Sequence, residues 1–213
     1  MIKKHTMPYI SVVTPTFNEE ENIVDLCNQV ESIFKDLNIK YEHIIVDNHS
    51  TDKTVIKVKE LIKVNSSIKL IVNNKNYGHL ASPVHGIKQS TGEATILLNA
   101  DFQDPPELIK DLISSWKNGS KITLLQKNLS DEPLNIKYLR KFYYWFINKI
   151  SNVNLTKNTT GSGIIDKSLV DILKEIDDPV PYLRGLLAEI GPEISLINFN
   201  QPKRVKGKSK NNF

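Results

Sequence analysis

Three features of other protein classes are missing from this sequence of 213 residues. Its single cysteine, Cys27, excludes an intramolecular disulfide framework and fits a reducing compartment. No apolar run approaches the roughly 18 residues that a membrane-spanning helix needs. The amino terminus lacks the apolar segment of a secretory signal peptide. We therefore expect a cytoplasmic location, with neither a signal peptide nor a transmembrane helix in this chain.

Glycine-rich phosphate-binding loops are missing as well. A dinucleotide-binding Rossmann domain carries Gly-x-Gly-x-x-Gly after its first strand, and a nucleotide-binding P-loop has a glycine-rich pattern of its own. Neither pattern occurs here, and the turn over residues 15–20 contains no glycine. A bound phosphate would therefore have to be neutralised in another way, and a metal ion is the usual alternative.

The charge of the chain is modest overall but uneven along it. A net charge of +4 does not indicate a partner such as nucleic acid. However, five of the eight residues from Lys203 to Lys210 are basic. This tail is either a solvated terminus or a clamp for phosphates, and it would also suit an anionic membrane surface.

The order of apolar patterns predicts an α/β fold. With 39% hydrophobic residues, the chain can form one compact core. Short apolar runs alternate with amphipathic stretches over the first 125 residues, which is typical of a mostly parallel central sheet with helices on both faces. Strands are predicted at 9–14, 44–46, 69–72, 95–98 and 121–125, and helices at 18–37, 51–62, 80–89 and 105–116.

The second part of the chain is less regular. An aromatic-rich helix predicted over 136–150 either belongs to the core or faces a membrane. A turn is predicted at 160–163, helices at 168–176 and 182–190, and a strand at 193–199. This part reads as a smaller element attached to the first.

Polar side chains follow three of the predicted strands. Ligands bind at the carboxyl ends of the strands in open α/β sheets, so these residues should converge on one crevice. They are Pro15, Thr16, Asn18 and Glu19 after the first strand, Asp47, Asn48 and Ser50 after the second, and residues 99–104 after the fourth.

The segment after the fourth strand is the candidate metal site. Asn99, Asp101 and Gln103 occupy alternate positions, so on an extended segment they would point to the same side. Their oxygen atoms suit Mg²⁺ or Mn²⁺, with substrate phosphates completing the coordination shell. The alternative is an ordinary polar loop that caps the helix predicted from Pro105.

The other polar positions have simpler alternatives. Asp47 suits a nucleotide base or ribose, but it could instead cap the next helix, a role that we assign mainly to Asp52. His79 and His85 are six residues apart, and this spacing disfavours a shared metal site on a helix.

Four motifs in order resemble a known family. Residues 12–20 (VVTPTFNEE), 46–52 (VDNHSTD), 99–107 (NADFQDPPE) and 204–210 (RVKGKSK) together are similar to family 2 glycosyltransferases with a GT-A fold. The most similar branch is the dolichyl- or polyprenyl-phosphate sugar synthases. The resemblance covers nearly the whole chain.

The resemblance implies both an activity and a set of roles. It implies inverting transfer of a sugar from a nucleoside diphosphate sugar, with a polyprenyl or dolichyl phosphate as acceptor, at the cytoplasmic face of a membrane. It also implies a nucleotide-sugar-binding half over 1–126, an acceptor-side half over 127–200, and a basic tail over 201–213. From the residue patterns and the resemblance together, the predicted site residues fall into four groups: nucleotide-binding Pro15, Thr16, Asn18, Glu19, Asp47 and Asn48; metal-binding Asn99, Asp101 and Gln103; catalytic Asp101 and Asp104; and phosphate- or acceptor-binding Arg140, Arg204, Ser209 and Lys210.

Three departures from the family pattern bear on this reading. Asn99 and Asn48 each stand where the family usually has aspartate, and no acidic residue occupies 160–163. Asparagine at position 99 removes a negative charge from the proposed metal shell. Two rival functions follow: a non-catalytic module that binds nucleotide sugars, and a sugar nucleotidyltransferase, which would need a glycine-rich, basic loop after the first strand.

Overall fold

The computed structural model describes residues 9–128 and 156–202. Seven strands and six α-helices alternate along this part of the chain, with one short 3₁₀-helix, Pro106–Leu108, before α4. The strands are β1 Tyr9–Thr16, β2 Lys40–Asp47, β3 Ile68–Val72, β4 Ala94–Leu97, β5 Ile122–Lys127, β6 Thr159–Asp166 and β7 Ser195–Phe199. The helices are α1 Ile23–Leu37, α2 Thr54–Val64, α3 Gly78–Lys88, α4 Ile109–Lys117, α5 Lys167–Glu175 and α6 Leu183–Ile190.

The strands form one sheet in the order β3-β2-β1-β4-β6-β5-β7. All neighbouring pairs are parallel except those of β6, which runs antiparallel to β4 and β5. The predicted α/β fold with a mostly parallel sheet is therefore confirmed. Since β6 lies between β4 and β5, the sheet joins the two predicted halves of the chain.

Helices cover both faces of the sheet, as predicted. Val12 and Val13 are neighbours on β1, so their side chains point to opposite faces. Val12 packs with Leu26 of α1 and Leu112 of α4. On the other face Val13 packs in a cluster formed with α3, α5 and α6. Both faces of β1 are thus buried, which is why this strand reads as a continuous apolar run.

α1 begins later than predicted but buries the predicted face. Its first residue is Ile23 instead of residue 18, because Asn18 has a φ of 54° and starts a turn. The predicted apolar face is nearly all buried, including Cys27, which is 2% exposed. Burial raises the pKa of the Cys27 thiol to about 12, so this thiol is a core group and not a nucleophile.

β2 is longer than its apolar pattern predicts because it also contains polar residues, whose buried side chains form hydrogen bonds with side chains of neighbouring strands. Glu42 is fully buried and accepts hydrogen bonds from Ser11 Oγ (2.6 Å) and Lys69 Nζ (2.5 Å). His43 Nε2 lies 2.9 Å from Thr14 Oγ1, and burial lowers the pKa of His43 to about 3. These partners lie on other strands, so no local pattern reveals them.

The prediction of a turn at 160–163 is wrong, because these residues belong to β6. Gly163 permits close contact between neighbouring strands, since a Cβ atom there would collide with the carbonyl oxygen of Thr123 on β5. Gly161 has a φ of 91°, which favours glycine. Of the two glycines that favoured a turn in the sequence, Gly163 allows β5 and β6 to pack closely, and Gly161 allows a local change of backbone conformation.

Asp166 joins the end of β6 to α4, β5 and α5. Its carboxylate caps α5 by accepting the backbone N–H of Ser168 (3.1 Å), and it also binds Trp116 Nε1 (2.8 Å) and Lys121 Nζ (2.9 Å). Partial burial raises the pKa of Asp166, but the hydrogen bonds outweigh it and hold the value at about 2. The ionised form is therefore favoured by folding.

Replacing Asp166 should destabilise the fold in a pH-dependent way. The pKa is lower in the folded state, so the stabilisation is present above about pH 4 and is lost as the pH falls towards 2. Asp166→Ala, which also removes the helix cap, should lower the free energy of unfolding by about 1 kcal/mol at pH 7. Urea denaturation from pH 7 to pH 2 measures this, with Asp166→Asn to separate charge from capping. A difference from the native chain that stays constant with pH would contradict it.

Candidate active site

A cavity of about 360 Å³ opens at the carboxyl ends of β1, β2 and β4. The predicted residues Thr16, Asn48 and Asp101 line it together, one from the end of each strand. This confirms that the three strand ends converge on one crevice. Pro15, Glu19, Asn99 and Gln103 line it as well.

The loop after β1 is held against the loop after β2. The backbone N–H of Asn18 donates to Ser50 Oγ (2.8 Å), and Asn18 Oδ1 accepts the N–H of Thr51 (2.7 Å). The Glu19 N–H donates to Thr54 Oγ1 (2.8 Å). Glu19 faces the cavity, whereas Asn18 is not part of its lining. A direct contact of Asn18 with the nucleotide stays a prediction.

Asp47 lies behind the cavity wall. It is fully buried, and its Oδ2 accepts the backbone N–H of Ser50 (2.9 Å). Its Oδ1 has no hydrogen-bond partner within residues 9–128 and 156–202. Asp52 accepts the N–H of Thr54, the first residue of α2 (2.9 Å), but the N-cap residue of this helix is Lys53, which makes no side-chain capping bond.

Asn48 uses both ends of its amide to organise residues 73–78. Its Nδ2 donates to Asn76 Oδ1 (2.8 Å) and to the carbonyl oxygen of Gly78 (3.2 Å). Its Oδ1 accepts from the Tyr77 N–H (2.9 Å) and from Asn73 Nδ2 (3.2 Å). A carboxylate could accept but could not donate, so asparagine suits this position better than the usual aspartate of the family pattern.

The candidate metal loop, residues 99–103, contains a turn. The prediction that this segment is extended is therefore wrong. Phe102 has a φ of 59°, which reverses the chain direction. The Gln103 N–H donates to Asp101 Oδ1 (3.2 Å) across this turn. Asn99, Asp101 and Gln103 nevertheless line the same cavity. The turn brings them together by a different geometry from the alternation that was predicted.

The oxygen atoms of this loop fit a hard divalent cation. Asn99 Nδ2 donates to Asp104 Oδ2 (2.9 Å), which leaves the amide oxygen of Asn99 available to a ligand. Asp101 adds a carboxylate and Gln103 a second amide. No group of three His, Cys, Asp or Glu side chains suited to a metal occurs in the described ranges. The site would therefore hold a cation with few protein ligands, leaving room for phosphate oxygens.

Asp104 lies beneath this loop and not in the cavity. It is fully buried, and Ser162 Oγ on β6 donates to its Oδ2 (2.6 Å). Burial raises the pKa of Asp104 more than the hydrogen bonds from Ser162 and Asn99 lower it. Its predicted catalytic role stays a prediction, and its position favours an indirect one.

The family description "Glycosyl transferase family 2" matches residues 11–171. The chain belongs to this family. The match includes every predicted site residue from Pro15 to Arg140 and ends before the basic tail.

Relatives with glycosyltransferase names agree with this assignment. The chain is 29% identical over 205 residues to an uncharacterized glycosyltransferase of Synechocystis sp., covering 96% of this chain and 64% of that protein. It is 30% identical over 193 residues to the dolichol-phosphate mannosyltransferase of Pyrococcus furiosus (89% and 50%). It is 27% identical over 206 residues to the prophage bactoprenol glucosyl transferase homolog of Escherichia coli (95% and 67%). The chain thus spans only about half to two thirds of these relatives.

A solved glycosyltransferase structure shows the same fold. A mannosyltransferase from Pyrobaculum calidifontis, in complex with GDP-Man and Mn²⁺, superposes with a TM-score of 0.63. The two chains are 16% identical, and the match covers 94% of this chain and 59% of the other. The predicted GT-A fold is therefore confirmed.

One group of residues that line the cavity was not predicted from the sequence. Asn76, Gly78, His79 and Ser82, from the loop after β3 and the first turns of α3, also line it. The run Asn73 to Asn76 follows the third strand, so the strand-end rule used for the other strands would have found it. The helix predicted at 80–89 begins at Gly78, which brings its first turn into the site.

Several predictions concern residues outside the described part of the chain. These are the aromatic helix at 136–150, Arg140, and the tail with Arg204, Ser209 and Lys210. In the described ranges, no helix has the length and hydropathy needed to cross a membrane.

Asn48→Asp should destabilise residues 73–78. The substitution removes the donor to Asn76 and Gly78 and puts a carboxylate against their oxygens, so the free energy of unfolding should fall by about 1–3 kcal/mol. The matched control is Asn74→Asp, because Asn74 only accepts a hydrogen bond, from Tyr77, and an aspartate can still do so. Thermal unfolding compares the two variants. Equal stability of both would show that the Asn48 donor is unimportant.

Proposed function

We propose that this chain transfers a sugar from a nucleoside diphosphate sugar to a polyprenyl or dolichyl phosphate, with inversion at the anomeric carbon. One observation carries this proposal: the carboxylate of Asp101 lies with the oxygens of Asn99 and Gln103 in a cavity at the carboxyl ends of the parallel strands. Membership of glycosyl transferase family 2 supports the reaction class.

Nucleoside recognition is assigned to the wall formed by β1 and β2. Pro15, Thr16, Glu19 and Asn48 line that side of the cavity. Asp47 fixes the turn at Ser50 from behind. Because Asp47 is not part of the cavity lining, its direct contact with the nucleotide stays a prediction, and the role that the geometry supports is to hold this turn.

Diphosphate binding is assigned to the loop after β4. Asn99, Asp101 and Gln103 would hold a divalent cation, Mg²⁺ or Mn²⁺. A cation bound there supplies positive charge to the leaving diphosphate. The chain itself contributes the turn at Phe102, which fixes these three side chains before the substrate arrives and so avoids the entropy cost of ordering them.

The acceptor assignment draws on the relatives. Two of them are described as a bactoprenol glucosyl transferase homolog and a dolichol-phosphate mannosyltransferase. A lipid phosphate is already an anionic nucleophile near neutral pH. One of its oxygens forms a bond to the anomeric carbon while the bond from that carbon to the diphosphate breaks, and the electron pair leaves with the nucleoside diphosphate. A strong general base is therefore unnecessary.

Binding of the phosphate groups and contact with the membrane are assigned to residues 129–155 and 203–213. Arg140, Arg204, Ser209 and Lys210 would bind the phosphates of donor and acceptor. The five basic residues from Lys203 to Lys210 would also hold the chain at the cytoplasmic face of a membrane, where the lipid acceptor lies.

Asp101→Asn should abolish most of the transfer. Removing the only carboxylate of the metal loop that lines the cavity should lower turnover by about 100-fold or more. Release of nucleoside diphosphate and formation of lipid-linked sugar, both with Mn²⁺, measure this. The matched control is Asp36→Asn, because Asp36 is an exposed residue of α1 paired only weakly with Lys110 (3.7 Å). Equal, negligible turnover in the native chain and the Asp101 variant would favour a non-catalytic nucleotide-sugar-binding module.

A further inference from the structure

Asp104 joins two segments that meet behind the cavity. Its Oδ2 accepts two hydrogen bonds, from Asn99 Nδ2 (2.9 Å) in the loop after β4 and from Ser162 Oγ (2.6 Å) on β6. Asp104 and Ser162 are both fully buried, whereas Asn99 is only half-buried and lines the cavity. Among the hydrogen bonds of the described residues, the one from Asn99 links this carboxylate to the cavity lining.

The hydrogen bond to Asp104 determines which atom of Asn99 a ligand can reach. An amide has a donor end and an acceptor end, and here the donor end is bound behind the cavity wall. The acceptor end is then the one available at the cavity, on the same side as Asp101 and Gln103. Without a fixed acceptor behind it, the amide could rotate and present its N–H₂ group, which would repel a cation.

The buried carboxylate is not explained by stability. Asp104 Oδ1 is buried and has no hydrogen-bond partner in the described part of the chain. Such a group costs free energy, whereas a serine or an apolar residue could fill the position more cheaply. Features that weaken the fold locally are expected at functional sites.

We propose that Asp104 is a positioning residue, which holds Asn99 so that its amide oxygen points at the cation site beside Asp101. The inference rests on the proposed function, because it concerns the cation assigned to that cavity. It also explains how asparagine serves at position 99, since an amide can both donate to Asp104 and offer an oxygen to the cavity. In this arrangement Asn99 donates to Asp104 and leaves its own oxygen in the cavity that Asp101 also lines.

Three substitutions separate positioning from a general role in the fold. Asp104→Ala removes the acceptor without overfilling the site. Asp104→Asn keeps one acceptor oxygen and removes the charge. Ser162→Ala breaks the link to β6 but leaves the contact with Asn99 intact. Thr95→Val is the matched control. Thr95 lies on β4, which precedes the metal loop, and is not part of the cavity lining; its substitution removes another buried hydrogen bond, to Ser90 Oγ (2.7 Å).

The measurement is calorimetric titration of each folded variant with UDP and with GDP, in Mn²⁺ and in EDTA, beside its melting temperature. Asp104→Ala should weaken Mn²⁺-dependent nucleotide binding by about 10-fold or more, as expected when the partner of a metal ligand is lost. Asp104→Asn and Ser162→Ala should stay within about twofold of the native chain. Thr95→Val should lower the melting temperature and leave binding unchanged.

Each contrary result has a distinct meaning. An Asp104→Ala protein that binds like the native chain would overturn the positioning role alone. A loss in Ser162→Ala as large as that in Asp104→Ala would show that Asp104 acts as a latch to β6, which also overturns it. If Asp104→Ala does not fold, a loss of Mn²⁺-dependent binding well beyond twofold in Asp104→Asn or Ser162→Ala would still overturn the proposal, because both variants keep an acceptor for Asn99. Native protein that binds neither nucleotide in an Mn²⁺-dependent way would overturn the proposed function together with this inference.

Discussion

The parallel pairing of β1 with both β2 and β4 is the constraint on which the site depends. In this register Thr16 lies opposite Asp47, and Val13 lies opposite Leu97. The loops that follow the three strands therefore leave the sheet at the same edge. Helices pack on both faces and hold the strands in place, so the positions of the cavity residues are set by the sheet before any ligand binds.

The sequence alone predicts the sheet and the crevice well, because both depend on local patterns. β1 and β4 are apolar runs, and the polar residues after them mark their carboxyl ends. The sequence is a poorer guide where partners are distant in the chain. Glu42 and His43 lie outside the predicted strand 44–46, because their partners Ser11, Lys69 and Thr14 are distant in the sequence. Gly161 and Gly163 indicate a turn until β5 is seen to pack against β6.

Inside the candidate site, the residue types were more informative than their spacing. Asn99, Asp101 and Gln103 do line one cavity, but a turn at Phe102 brings them there. A left-handed φ at a phenylalanine has no reliable sequence signal. Two of the three departures from the family pattern also acquire a physical reason, since Asn48 and Asn99 each donate hydrogen bonds that an ionised aspartate could not. Asparagine at these positions is thus compatible with a working site.

The central claim is that a divalent cation and a nucleoside diphosphate bind together at Asp101. The most direct measurement is a thermal-shift series in which the native chain is heated with each nucleoside diphosphate, with Mn²⁺ alone, and with both. Because a ligand that binds only the folded state raises its apparent stability, the account predicts a clear rise in melting temperature for one nucleotide only when Mn²⁺ is present. An equal rise after chelation of the metal, or no rise with any nucleotide, would contradict it.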